Sequence, residues 1–72
     1  MYFYRRLRDM RVDHDKTQSD IAKVLGTVRG QYLKYENGQQ ELPMHHFVTL
    51  ARYYNVSLDY LAGLTDTPRP LK

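Results

Sequence analysis

Apolar residues recur along this chain at spacings of three and four, and no segment alternates with period two for long enough to compete as a strand. Phe3, Leu7 and Met10 lay one stripe on a helix over about Tyr2 to Val12, with Arg5, Arg6, Arg8 and Asp9 directed elsewhere. Asp13-His14-Asp15-Lys16 breaks the period. Thr17-Gln18-Ser19-Asp20 then has the form of a capping box, in which a threonine hydroxyl and an acid three residues on satisfy each other's backbone amides. The second helix carries Ile21, Ala22 and Leu25 inward and ends at Gly26. Val28, Tyr32 and Tyr35 resume the stripe in a short third helix, about Arg29 to Glu36, stopped by Asn37-Gly38. Pro43 suits the first turn of a fourth helix whose inward set is Met44, Phe47, Val48, Ala51 and Tyr54, with Asn55 at its end. Ser57 caps a last short helix bearing Leu58 and Leu61, closed by Gly63. The expectation is an all-α domain of five helices.

The second and third helices are short and separated by about three residues, with Gly26 opening the turn. Helices joined so tightly cross steeply, which is the helix-turn-helix arrangement; its second helix can enter a major groove about 12 Å wide. Thr65-Asp66-Thr67-Pro68-Arg69-Pro70-Leu71-Lys72 has a different composition, and its prolines cannot continue a helix, so residues 1–64 are read as the domain and 65–72 as a tail.

Composition narrows the function. A chain of 72 residues buries only about 60% of its unfolded surface, which leaves little room for a deep catalytic cleft. The absence of cysteine excludes disulfide scaffolds, thiolate zinc fingers and iron–sulfur clusters. No apolar run approaches the roughly 20 residues of a membrane span, and no apolar stretch follows the first charges, so the expected location is cytoplasmic. The net charge is +3, and its distribution is uneven: residues 1–36 hold eight basic against five acidic side chains, whereas residues 37–72 hold three of each. A basic half on a small domain points to a polyanion, with nucleic acid the usual one.

The stretch from Thr17 to Leu61 resembles the five-helix DNA-binding domain of phage repressors and Cro proteins, the family also named for xenobiotic response elements. The resemblance is carried by the Thr17-Gln18 opening of helix two, Ile21-Ala22 followed by Leu25-Gly26, the Tyr35-Glu36-Asn37-Gly38 end of helix three, and Val56-Ser57-Leu58-Asp59 entering helix five. It implies that Val28, Arg29, Gly30 and Lys34 face bases, that Gln18 and Asn37 hold DNA phosphates, and that Arg11 and Glu36 form an internal ion pair tying helix one to the end of helix three. It also implies binding to double-stranded DNA as a homodimer. Relatives often carry Ser or Thr at the Val28 position as both helix cap and phosphate ligand; here Thr27, one residue earlier, is the expected substitute. Gly30 offers no side chain to a base, and the Tyr32/Tyr35 stripe directs Leu33 outward. Arg29 has the planar fork that pairs with guanine O6 and N7.

Plainer readings cover other conspicuous residues. Tyr32, Tyr35 and Tyr54 fall on inward stripes and are expected in the core, while Tyr2, Tyr4, Tyr53 and Tyr60 stay open between packing and a dimer surface. Arg5, Arg6 and Arg8 are either phosphate ligands or a solvated helix face. Adjacent His45 and His46 diverge on a helix and do not chelate as an i, i+4 pair would, and Asp13-His14-Asp15 reads as loop, so no metal and no cofactor is expected. No nucleophile–histidine–carboxylate motif or glycine-rich phosphate loop stands out, and the chain is read as a non-enzyme. The leading function is a sequence-specific transcriptional regulator, a repressor on a two-fold symmetric operator, with Leu61, Leu64 and Tyr60 at the expected dimer seam. Two others stand beside it: an antitoxin-type module that covers a partner protein and autoregulates through DNA, suggested by Leu33 and the surplus tyrosines, and a ligand-sensing or structural domain that keeps the fold without DNA.

Overall fold

The computed structural model describes residues 4–70, and among these all regular structure is helical: α1 (Arg5–Asp13), α2 (Gln18–Val24), α3 (Arg29–Glu36), α4 (Met44–Tyr54) and α5 (Leu58–Leu61). The expected start of helix one at Tyr2 and its Phe3 lie outside the described residues. Tyr4 is the N-cap of α1, with its ring edge-on to Phe47 at 4.9 Å between centroids.

Local chemistry sets the helix boundaries. Thr17 Oγ1 accepts from the Asp20 amide and Asp20 Oδ2 accepts from the Thr17 amide, which closes the capping box at α2. Ser57 Oγ accepts from the Tyr60 amide at the start of α5. α4 ends at Asn55 in the left-handed conformation (φ 55°), a role its short polar side chain tolerates. At the end of α3 only Gly38 takes a positive φ (82°), whereas Asn37 stays at φ −91°. Pro43 is the N-cap of α4 rather than its first helical residue.

The core is built from Leu7, Met10, Ile21, Ala22, Leu25, Tyr32, Tyr35, Phe47, Leu50, Ala51, Tyr54 and Leu61, with Leu42 and Val56 pinning the connections on either side of α4. α2 packs chiefly on α3, and α5 lies against α4 and α1. Three expectations are corrected here. Met44 is 68% exposed, because the buried face of α4 is centred on Phe47, Leu50, Ala51 and Tyr54, and Met44 stands at the open first turn. Leu61 is fully buried and so cannot form a dimer seam. Arg6 is buried as well, since it stands one turn below Met10 on the same side of α1.

Arg6 joins the two ends of the described chain. Its Nη1 donates to the carbonyls of Tyr60 (3.1 Å) and Thr65 (3.0 Å), its Nη2 donates to Asp66 Oδ1 (2.8 Å), and its Cζ sits 4.0 Å from the Tyr60 ring centroid. The Ser57 amide donates to the Arg69 carbonyl at 2.8 Å. Residues 65–70 therefore run back across the end of α5.

Candidate nucleic-acid interface

Four residues, Leu25 to Val28, separate α2 from α3 around a glycine turn. Leu25 closes α2, Gly26 takes φ +71°, and the Thr27 amide donates back to the Ala22 carbonyl at 2.9 Å. This fixes the direction in which α3 leaves. Val28 follows in extended geometry as the N-cap, and its carbonyl accepts from the Gln31 and Tyr32 amides at 3.1 Å each. No side chain caps this helix, which corrects the expectation for Thr27: a hydroxyl must stand on the N-cap residue to reach the first-turn amides, and Val28 holds that place.

α3 is held by one face. Tyr32 is fully buried, and Tyr35 and Glu36 nearly so. Arg29, Gly30 and Lys34 are exposed, and Val28, expected on the inward stripe, is 71% exposed. Gly30 and Lys34 stand one turn apart on the outer side, and a Cβ added at Gly30 would meet nothing within 4 Å. Gln31 donates to the Gln40 side chain, which ties the flank of α3 to the loop before α4.

Gln18, Leu33 and Asn37 meet at the other end of this surface. With Arg5 and Arg8 of α1 they wall an open cavity of about 570 Å³ between α1, the start of α2 and the end of α3. Gln18 is half-buried and Asn37 exposed, with Asn37 Oδ1 accepting from the Gln39 amide at 3.2 Å. Leu33 is half-buried in this wall rather than projecting freely.

One side of the cavity is the pair Arg11–Glu36. Arg11 Nε donates to Glu36 Oε2 and Arg11 Nη2 to Glu36 Oε1, both at 2.9 Å, in the parallel fork geometry of a strong arginine–carboxylate contact. Arg11 Nη1 also donates to the Lys16 carbonyl at 3.0 Å, so one guanidinium joins α1, the loop before α2 and the end of α3. Burial pushes the Glu36 carboxyl up, but the Arg11 hydrogen bonds, with Tyr32 and Gln18 nearby, outweigh it and hold the group below its ordinary value. The same contact raises Arg11. The buried hydroxyls of Tyr32 and Tyr54 have no partner in good hydrogen-bond geometry, and desolvation raises both above the usual phenol range.

The histidines stay outside this site. His14 Nδ1 lies 2.9 Å from the Met10 carbonyl with its ring against Tyr54, and His46 packs edge-on to Tyr35. Among the described residues, no group of three His, Cys, Asp or Glu side chains is placed to hold a metal, and no helix is long and apolar enough to cross a membrane. Sequence reasoning missed the role of Arg6; its position four residues before Met10 was the available signal.

Comparison with known proteins gives the same answer as the geometry. The family model described as helix-turn-helix matches residues 7–61. The uncharacterized HTH-type transcriptional regulator YobD of Bacillus subtilis (strain 168) is 40% identical over 68 residues, covering 94% of this chain and 61% of the relative. The cryptic phage CTXphi transcriptional repressor RstR of Vibrio cholerae is 32% identical over 65 residues, covering 90% of this chain and 59% of the relative. The chain thus spans about three fifths of the length of these two relatives. No solved structure matches. With a glycine turn between α2 and α3, an outward face on α3 and a family match across all five helices, the chain belongs to the helix-turn-helix family, of the phage repressor and Cro type.

Proposed function

We propose that this domain binds double-stranded DNA in a sequence-specific manner and serves a transcriptional repressor that occupies a two-fold symmetric operator as a homodimer. The observation that carries the reading is the split of α3, with Tyr32, Tyr35 and Glu36 in the core and Arg29, Gly30 and Lys34 turned to solvent. A helix held by one face and basic on the other has the form of a major-groove reader. Arg29 specifies guanine, Val28 touches a thymine methyl, Lys34 reads or grips beside them, and the small Gly30 admits close approach. Gln18, Thr27 and Asn37 hold phosphates and position the helix. The names of the two relatives, a transcriptional regulator and a phage repressor, support regulation of transcription as the role.

Dimerisation follows from the size of the reader: one eight-residue helix spans few base pairs, and two copies about 34 Å apart multiply the discrimination. Among the described residues, Leu64, 79% exposed, and Leu58, at the margin of exposure, are the apolar groups at the C-terminal end that remain for a seam, with Tyr60 partly covered by Arg6.

Selection of bound sequences from random duplexes, followed by sedimentation of the chain on the enriched duplex, tests the reading. The expected result is a palindromic consensus bound by two chains. No enrichment would overturn DNA recognition and shift the function to capture of a partner protein; a single chain on a palindrome would overturn the dimer alone.

A further inference from the structure

α1 carries four arginines, and the fold treats them in two ways. Arg6 is consumed by Asp66 and two backbone carbonyls, and Arg11 by Glu36 and the Lys16 carbonyl. Arg5 and Arg8 are exposed, neither makes an ion pair or hydrogen bond within the described residues, and both line the open cavity shared with Gln18 and Asn37. Two carboxylates also border it. Glu36 is already occupied by Arg11, which leaves Asp9 alone against two unpaired guanidiniums. The wall therefore keeps a positive surplus, continuous with the end of α3.

From this arrangement we propose that Arg5 and Arg8 clamp the sugar–phosphate backbone of the DNA strand that borders the groove entered by α3, making α1 a third DNA-contacting helix beside α2 and α3. The proposal rests on the DNA-binding reading above and deepens it. Residues three apart on a helix are surface neighbours, and a nucleic-acid strand presents one phosphate per about 3.4 Å of axis, so the pair can engage successive phosphates. Arginine forks match phosphate oxygens bidentately. The cavity is open to solvent rather than enclosed, and its lining runs from Arg5 and Arg8 to Gln18 and Asn37, which suits a polyanion passing over the surface rather than an enclosed small ion. Such contacts contribute affinity without reading bases.

The test uses Arg5→Gln, Arg8→Gln and the double variant, with Arg52→Gln as a control at an exposed arginine of α4 outside the cavity. Because neither Arg5 nor Arg8 has a partner among the described residues, the variants should melt with the parent. Affinity is measured against the selected duplex and a scrambled one across a range of salt concentrations. Each α1 substitution should lower the slope of log K against log salt by about 0.9 for every phosphate that is no longer neutralised, weaken both duplexes by the same factor, and leave base preference intact. Arg8→Lys, which keeps the charge, should restore most of the slope. Slopes equal to that of Arg52→Gln would overturn the clamp while leaving DNA recognition standing. If the parent itself binds no duplex, the DNA-binding reading fails first and the clamp with it.

Discussion

The Arg6 guanidinium lies over the Tyr60 ring, 4.0 Å from Cζ to the ring centroid, and its Nη1 donates to the carbonyl of that same tyrosine. This one side chain joins α1 to α5 and to the segment that follows α5. The two ends of the contact are unequal: the Arg6 side chain is 7% exposed and that of Asp66 is 92% exposed. Arg6→Ala removes a buried cation together with the donors of two carbonyls and should cost about 3 kcal/mol or more. Asp66→Asn, at the solvent end, should cost under about 1 kcal/mol. Arg6→Lys should recover only part of the loss, because one ammonium does not reproduce a fork that reaches three acceptors and stacks on a ring. Chemical denaturation of the three variants checks the order, and equal midpoints for Arg6→Ala and Asp66→Asn would show that the acid rather than the burial matters.

Arg11→Ala and Glu36→Ala each break a shielded fork and should destabilise the fold by about 3–5 kcal/mol. Glu36 also fixes a pH dependence. Its carboxyl is held below the ordinary 4.5, so the unfolded chain takes up its proton first as the solution is acidified. The stabilisation is complete above about that value and is lost as pH falls through the lower folded pKa. Asp20, lowered by its backbone hydrogen bond to Thr17, acts in the same direction from 3.8 downward. His46, lowered by burial and then by His45, begins earlier: below 6.5 the unfolded chain binds its proton more readily than the folded one, and stability declines. Melting temperature followed from about pH 7 to about pH 3 should therefore fall in two stages. His46→Gln should flatten the upper stage, and Glu36→Gln, although less stable throughout, should flatten the lower one. An unchanged lower stage in Glu36→Gln would mean that the pair does not govern acid sensitivity.

The five helices were legible because they combine short-range signals with a repeated stripe. Thr17 with Asp20, Ser57, and the glycine and asparagine stops are read within a few residues, and the resemblance across Thr17–Leu61 adds the order of the parts. What stayed hidden was set by contacts between distant residues. Arg6 reads as one of a run of exposed arginines until Thr65 and Asp66 return to meet it, sixty positions away in the case of Asp66. Leu61 reads as a spare apolar residue until α4 and α1 close around it. On α3 the Tyr32/Tyr35 stripe left Arg29, Gly30 and Lys34 to solvent but misplaced Val28, which is exposed at the N-cap, and Leu33, which is half-buried; the cavity walled by Arg5, Arg8, Gln18 and Asn37 draws on three elements and has no local signature.

The start of α3 is open to improvement at two positions. Gly30 lies inside the helix with no positive φ, and a Cβ there meets only open space, so Gly30→Ala should stabilise the domain by about 0.5–1 kcal/mol through backbone entropy alone. Val28 has the extended geometry of an N-cap but no oxygen, and Val28→Ser should add about 1 kcal/mol by accepting a first-turn amide. The two changes fall on different backbone terms and should nearly add. Thermal melts of the single and double variants check this; a destabilised Gly30→Ala would show that the helix bends or opens at that residue.

The outer face of α3 and the wall behind it should also separate in binding experiments. In the proposed reading Arg29 specifies a base, whereas Gln18 holds a phosphate and carries no sequence information. Arg29→Ala should lose roughly 1–3 kcal/mol on the best duplex and relax preference at one position per half-site. Gln18→Ala should weaken matched and scrambled duplexes by similar factors and, because the side chain is neutral, barely alter the salt slope. Lys34→Ala distinguishes its two candidate partners directly: if the ammonium meets phosphate, the slope falls by about 0.9 per half-site, and if it meets a base, preference changes instead. Competition binding against single-position duplex variants at two salt concentrations reads all three. Unchanged base preference in Arg29→Ala would show that α3 does not read sequence through this residue, and would leave Lys34 as its only other charged side chain turned to solvent.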